Sequence, residues 1–232
     1  MPLLSVFSVD IKPDRILDYQ EIAAELAGHA RDQAEPFHWS AHEVVYGGAS
    51  TLHFGTRIDS FGDLAERGLP PEMVIRVLGE ARGTEALREF GAATESARTS
   101  ISVDRPELSY PAEAETATAP AAAVTLVKAR VGQLEACEEL IRKIAEAIPK
   151  VGDPARMTTF QTVIGDLAQY WTVRPLEGIA ALDSHLPPSE LLNQAFGAAE
   201  GGLIYRTGLD AIEHAERNIL IYREDLSNPS AA

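Results

Sequence analysis

Residues 4–11 are a short β-rich run in which Phe7, Val9 and Ile11 alternate with Ser8 and Asp10. After Pro13-Asp14 the pattern changes to a three-four spacing at Ile16, Tyr19, Ile22, Ala23, Leu26 and Ala30. Alternation marks a strand with one buried face, and the three-four spacing marks a helix with one apolar stripe. Strands are predicted over residues 37–46 and 50–57, with Gly47-Gly48 between them as a hairpin turn. A helical region follows over 61–97, interrupted at Leu69-Pro70-Pro71. Proline is tolerated only in the first turn of a helix, so the main segment should begin near Pro71. Residues 99–105 read as a closing strand.

The same series then returns. A strand over 124–130 precedes a helix over 134–148, a hairpin over 157–164 and 167–174 around Gly165-Asp166, a helical region over 188–216 with a break at Gly201-Gly202, and a strand over 218–223. Leu69-Pro70-Pro71 recurs 117 positions later as Leu186-Pro187-Pro188, and Arg105-Pro106-Glu107-Leu108-Ser109-Tyr110-Pro111 recurs 118 positions later as Arg223-Glu224-Asp225-Leu226-Ser227-Asn228-Pro229. At the longer offset Gly79 meets Gly197, Gly83 meets Gly201, Arg88 meets Arg206 and Ile101 meets Ile219; at the shorter one Gly48 meets Gly165 and Arg57 meets Arg174. So long a period reads as a duplicated domain, since solenoid repeats run only about 20–50 residues. The expected division is 1–111 and 122–232, with a low-complexity linker at 112–121.

Two βαββαβ units in tandem resemble the ferredoxin-like fold. As a pair they resemble the dimeric α+β barrel superfamily, which includes antibiotic-biosynthesis monooxygenase-type and NIPSNAP-type proteins, haem-degrading oxygenases, chlorite dismutase-like proteins and small polyketide cyclases. The resemblance rests on element order, length and repetition and covers nearly the whole chain. It implies an α+β barrel with helices outside two facing sheets, closed within one chain or in homo-oligomers.

Composition narrows the function. Lys and Arg number 20 against 35 Asp and Glu, a net charge of −15. That field repels phosphate backbones and anionic lipid, so neither nucleic acid nor a membrane surface is an expected partner. No apolar run is long enough for a membrane span, and the N-terminus does not read as a signal peptide, so a cytoplasmic location is expected. The single cysteine, Cys137, lies in the apolar stripe Leu134, Cys137, Ile141, Ile144, Ile148 and reads as an inert core residue.

Strand parity concentrates the candidate chemistry. With the turn at Gly47-Gly48, cross-strand partners in the first hairpin have numbers summing to 95. Phe37, Trp39, Ala41, Val45, Leu52 and Phe54 then share an apolar face with the lone charge Glu43. The other face carries His38, Ser40, His42, Thr51, His53 and Arg57, with His42 opposite His53 and His38 opposite Arg57. Ser8 and Asp10 can join it from the first strand.

Three readings stay open. The imidazoles of His38, His42 and His53 can act as general acid or base, with Arg57 and Ser40 holding an anionic or enolate oxygen of a small-molecule ligand. Together with Asp10 they can bind a divalent metal. Or the face is only a wet polar surface. At the 117 offset His53 matches Tyr170 and Arg57 matches Arg174, which makes Tyr170 and Arg174 candidate pocket residues of the second half. The chlorite dismutase-like resemblance implies haem, for which His185 and His214 are the candidate ligands in that half. No residue motif names a cofactor. The expected function is a small-molecule-binding protein or enzyme of the antibiotic-biosynthesis monooxygenase-like type; the alternative is a non-catalytic oligomeric NIPSNAP-like protein.

Overall fold

The computed structural model describes residues 3–48, 50–67, 70–111 and 119–229. Leu69 and residues 112–118 of the expected linker lie outside them. Among the described residues eight strands and seven α-helices follow one another as β1 (Leu3–Ile11), α1 (Ile16–Asp32), β2 (Ser40–Tyr46), β3 (Thr51–Ile58), α2 (Phe61–Arg67), α3 (Pro70–Leu78), α4 (Glu80–Ala93), β4 (Thr94–Asp104), β5 (Ala121–Ala129), α5 (Leu134–Val151), β6 (Thr158–Ile164), β7 (Gln169–Leu176), α6 (Pro188–Phe196), α7 (Ala198–Asp210) and β8 (Ile212–Tyr222). The hydrogen-bonded strand order, β1-β3-β2-β8-β5-β7-β6-β4, closes into a barrel.

The chain forms two compact units. Unit 1 holds Met1–Ile101 and Ile221–Ala232, and unit 2 holds Ser102–Leu220. The end of β4 and the residues after it thus belong to unit 2, and the end of β8 and the residues after it to unit 1. In unit 2, Arg105 N–H donates to Thr159 O at 2.9 Å and Tyr110 N–H to Met157 O at 2.7 Å. In unit 1, Arg223 N–H donates to Ala41 O at 2.9 Å and Asn228 N–H to Trp39 O at 3.0 Å. Each tail carries an arginine that reaches the sheet and helix it joins. Arg105 donates to Glu138 of α5 and Gln161 of β6. Arg223 pairs with Glu43 of β2, which also accepts from Gln20 of α1.

In unit 1 the apolar parity faces helices. Val9, Ile11, Ala41 and Leu52 pack with Tyr19, Ala23 and Ala93, while Trp39 joins Ile22, Leu26, Met73, Val74 and Val77. Trp39 also donates its indole N–H to Leu226 O at 2.7 Å. In unit 2 Val127, Tyr170 and Met157 pack on Leu140, Ile141, Ile148, Leu191 and Leu192. Cys137 is buried in this cluster, and burial pushes its thiol up to about 11.

Three expected boundaries fail. The helical region does not reach residue 97, because α4 stops at Ala93 and β4 begins at Thr94. The first part of β4 is exposed and polar, so no apolar alternation betrays it. For the same reason β8 begins at Ile212 rather than 218. The break in the second helical region is at Gly197, whose φ of 87° ends α6, and not at Gly201-Gly202. Gly201 sits where α7 meets α6, and a Cβ there would lie 2.7 Å from the backbone nitrogen of Asn193.

Candidate functional site

The histidine face lies in unit 1, on the side of the sheet opposite the helix-packed residues. β1 pairs with β3 from Leu3↔Ile58 to Asp10↔Thr51, and β2 pairs with β3 from Ser40↔Gly55 to Glu43↔Leu52. His42 and His53 are direct cross-strand partners, and Ser8 is the partner of His53 on the other side. Three neighbouring strands therefore bring Ser8, His53 and His42 into one row.

His53 is 8% exposed, and its Nδ1 is 2.8 Å from Ser8 Oγ, which fixes the ring plane. His42 stacks at a tilt beside Tyr222, with ring centroids 5.6 Å apart. Burial pushes the His42 imidazole down to about 4, so the ring is neutral at pH 7. Asp10 accepts from Ser96 Oγ at 2.6 Å and from Thr51 Oγ1 at 2.7 Å. The Ser96 bond is the main cause of its lowered pKa; burial opposes, and the Thr51 bond and the charges of Arg98 and His53 assist.

Other expected members stand apart. Ser40 does face Gly55, and donates to its carbonyl oxygen at 3.4 Å. Arg57 is exposed, with Leu4 as its β1 partner. It is four residues from His53, about 13 Å along an extended strand. His38 precedes β2, equally far from His42, and its Nδ1 is buried with no hydrogen-bond partner among the described residues. Among the described residues no three His, Cys, Asp or Glu side chains are placed to hold a metal ion.

Tyr170 and Arg174 are not counterparts of His53 and Arg57. Leu3↔Ile58 in unit 1 corresponds to Ala121↔Leu176 in unit 2, and Ser40↔Gly55 to Thr158↔Val173, an offset of 118 in both hairpins. The turn glycines agree, since Gly47 and Gly165 have φ of 108° and 120°. The expected 117 match is one residue out, and a one-residue slip exchanges faces. At the true register His42 corresponds to Phe160, His53 to Trp171, Arg57 to Pro175, and Arg174 to Thr56. Tyr170 lies on the helix side, where its hydroxyl donates to Glu138 Oε1 at 2.7 Å. Parity alone missed Tyr222 and Ser96: parity within a hairpin does not say which distant strand lies beside it, and Ser96 also sits in the exposed start of β4.

The fold is similar to several solved structures. A candidate monooxygenase from Lactobacillus acidophilus NCFM aligns over 98% of this chain and 97% of its own, with a TM-score of 0.56 at 8% identity. An anthrone oxidase-like protein aligns over 100% and 97%, with a TM-score of 0.57 at 14% identity. Chlorite dismutase from Candidatus Nitrospira defluvii aligns over 94% and 90%, with a TM-score of 0.53 at 11% identity. No protein-family model and no curated protein matches the sequence. The likeness establishes the α+β barrel fold alone.

A haem needs an axial ligand that faces an apolar slot. In unit 2 the space between sheet and helices is filled by buried Tyr170, Leu140, Leu191 and Leu192. His214 is exposed beside Glu216, and His185 lies among charged groups. These residues do not fit the group.

Proposed function

We propose that the His42–His53 face of unit 1 is the substrate site of a small-molecule oxygenating enzyme of the antibiotic-biosynthesis monooxygenase-like type. The observation that carries this reading is the pair of cross-strand imidazoles, one held by Ser8 and the other neutral beside Tyr222. His53 serves as the base that removes a proton from the substrate, with Ser8 setting its ring orientation. The neutral His42 hydrogen-bonds the substrate oxygen, and Tyr222 offers an aromatic edge. The similarity to an anthrone oxidase-like protein supports a fused-ring aromatic with an acidic C–H beside the ring. In that chemistry the proton goes to His53, the enolate reacts with dioxygen, and anthrone plus O2 becomes anthraquinone plus water.

The scaffold reading that accompanies it is a tandem duplication of a ferredoxin-like unit. Its support is the constant offset of 118 between β1 and β5, β2 and β6, β3 and β7, and β4 and β8. One observation favours the non-catalytic alternative: Asp10 has an oxygen engaged by each of Thr51 and Ser96, as in a purely structural network.

The test is oxygen uptake with anthrone by wild type, His53→Gln and His42→Gln, with circular dichroism confirming the fold. His53→Gln should lower turnover about 100-fold or more, the usual contribution of a positioned base. Uptake that survives both substitutions unchanged, or no binding of any fused-ring aromatic, favours the structural alternative.

A further inference from the structure

Unit 2 holds a buried arginine that the fold itself leaves unanswered. Arg174 of β7 stands opposite Ala123 of β5 on the helix-facing side of the sheet. It is 8% exposed, yet among the described residues its guanidinium makes no hydrogen bond and no ion pair. Burying an arginine side chain without a partner costs free energy in a folded protein.

Its surroundings are equally specific. Arg217 of β8 donates from Nε to Thr125 Oγ1 at 3.0 Å. Thr125 lies two residues along β5 from Ala123, so it is the diagonal neighbour of Arg174, roughly 7–8 Å away. Asp153 is the nearby acid, but both its oxygens are engaged: Oδ1 accepts from Ala155 N–H at 2.8 Å, and Oδ2 from Leu186 N–H at 3.0 Å. The second bond ties down the loop before α6, which carries His185. The Nδ1 of His185 is buried and has no hydrogen-bond partner among the described residues. Burial lowers the pKa values of both Arg174 and His185, and each feels Asp153 and Arg217.

The other repeat shows that this is not an inherited structural pair. At the 118 offset Thr56 stands for Arg174, Thr99 for Arg217 and Glu35 for Asp153. Glu35 is answered within unit 1 by Arg76, at 2.7 and 3.0 Å. The counterpart of Arg76 in unit 2 is Gln194, which carries no charge. Unit 2 lacks the arginine that neutralises the acid in unit 1 and carries Arg174 and Arg217 where unit 1 has threonines.

We propose that Arg174, Arg217 and His185 bind the carboxylate group of a small organic acid. Two guanidiniums, one aspartate and a neutral imidazole leave a single positive charge, which matches a monoanion and not a phosphate dianion. Arg174 takes the carboxylate oxygens through its planar N–H fork, Arg217 adds field, and His185 Nδ1 completes the hydrogen bonding. The site lies within unit 2 and stands independently of the histidine face in unit 1.

The test is calorimetric titration of the full chain with acetate and benzoate at pH 7.5, with inorganic phosphate for comparison, for wild type, Arg174→Met and His185→Phe. Wild type should bind a carboxylate more tightly than phosphate. Arg174→Met should weaken carboxylate binding at least 10-fold and His185→Phe severalfold. Without ligand, Arg174→Met should melt at or above the wild-type temperature, because it removes an unpaired buried charge; benzoate should raise the melting temperature of wild type more than that of either variant. Carboxylate affinity unchanged in both variants, tighter binding of phosphate, or no carboxylate binding by the wild type overturns the proposal. So does an Arg174→Met protein that melts well below wild type, which would mean that Arg174 is paired in the fold.

Discussion

Acid should unfold this protein partly through His42. Burial holds its imidazole at about 4 in the folded chain, against an ordinary value of 6.5. Above pH 7.5 the ring is neutral in both the folded and unfolded states and has no effect on pH dependence. Below 6.5 the unfolded chain takes up a proton that the folded protein refuses until about pH 4. Stability therefore falls with pH across that window and levels off below it. The gap, at about 1.4 kcal/mol per pH unit, gives a total loss of about 3 kcal/mol, with about 2 kcal/mol already lost at pH 5. His42→Phe fills similar space beside Tyr222 and cannot protonate. Asp10, with its own lowered pKa, loses stability at lower pH in both proteins and cancels from the difference. Urea unfolding of both proteins from pH 8 to 4.5 measures the effect, and NMR titration of the His42 ring protons reads the pKa directly. A stability difference that stays flat within about 0.5 kcal/mol over this range would refute the argument. So would a ring that titrates near 6.5.

Two further outcomes follow from packing. Gly83→Ala should destabilise by about 1–3 kcal/mol, because the new Cβ would lie 2.7 Å from Ile75 Cα and the α3 backbone cannot yield; Gly91→Ala, with nothing within 4 Å, should stabilise by about 0.5–1 kcal/mol, both read by thermal melts. Cys137, buried with its thiol pushed up to about 11, should resist alkylation by iodoacetamide at pH 8 until urea unfolds the chain; rapid labelling of the native protein would contradict its place in the core.

Much of unit 1 was legible from neighbouring residues. The turn at Gly47-Gly48 sets the β2–β3 register, so the pairing of His42 with His53 and the sharing of a face with Ser8 and Asp10 could be read directly. The hairpin in unit 2 was legible too, but its alignment with the first was not. A glycine match one residue out placed Tyr170 and Arg174 on the wrong face, and only the paired strands correct it. The exposed starts of β4 and β8 were invisible because their residues alternate without an apolar side.

Apart from the exposed starts of β4 and β8, spacing within a few residues is enough to tell strand from helix along this chain and to mark the stripe of each that is buried. Tertiary structure alone decided which side chains meet across non-neighbouring segments. The tail packs on β2 within unit 1 because the backbone of Trp39 and Ala41 finds its partners in residues 223–228, some 180 residues away in the chain. Tyr222 reaches His42 by the same packing. Arg174 is isolated for a reason of the same kind: whether a buried charge finds its partner depends on which loops pack over it, and no local pattern encodes that.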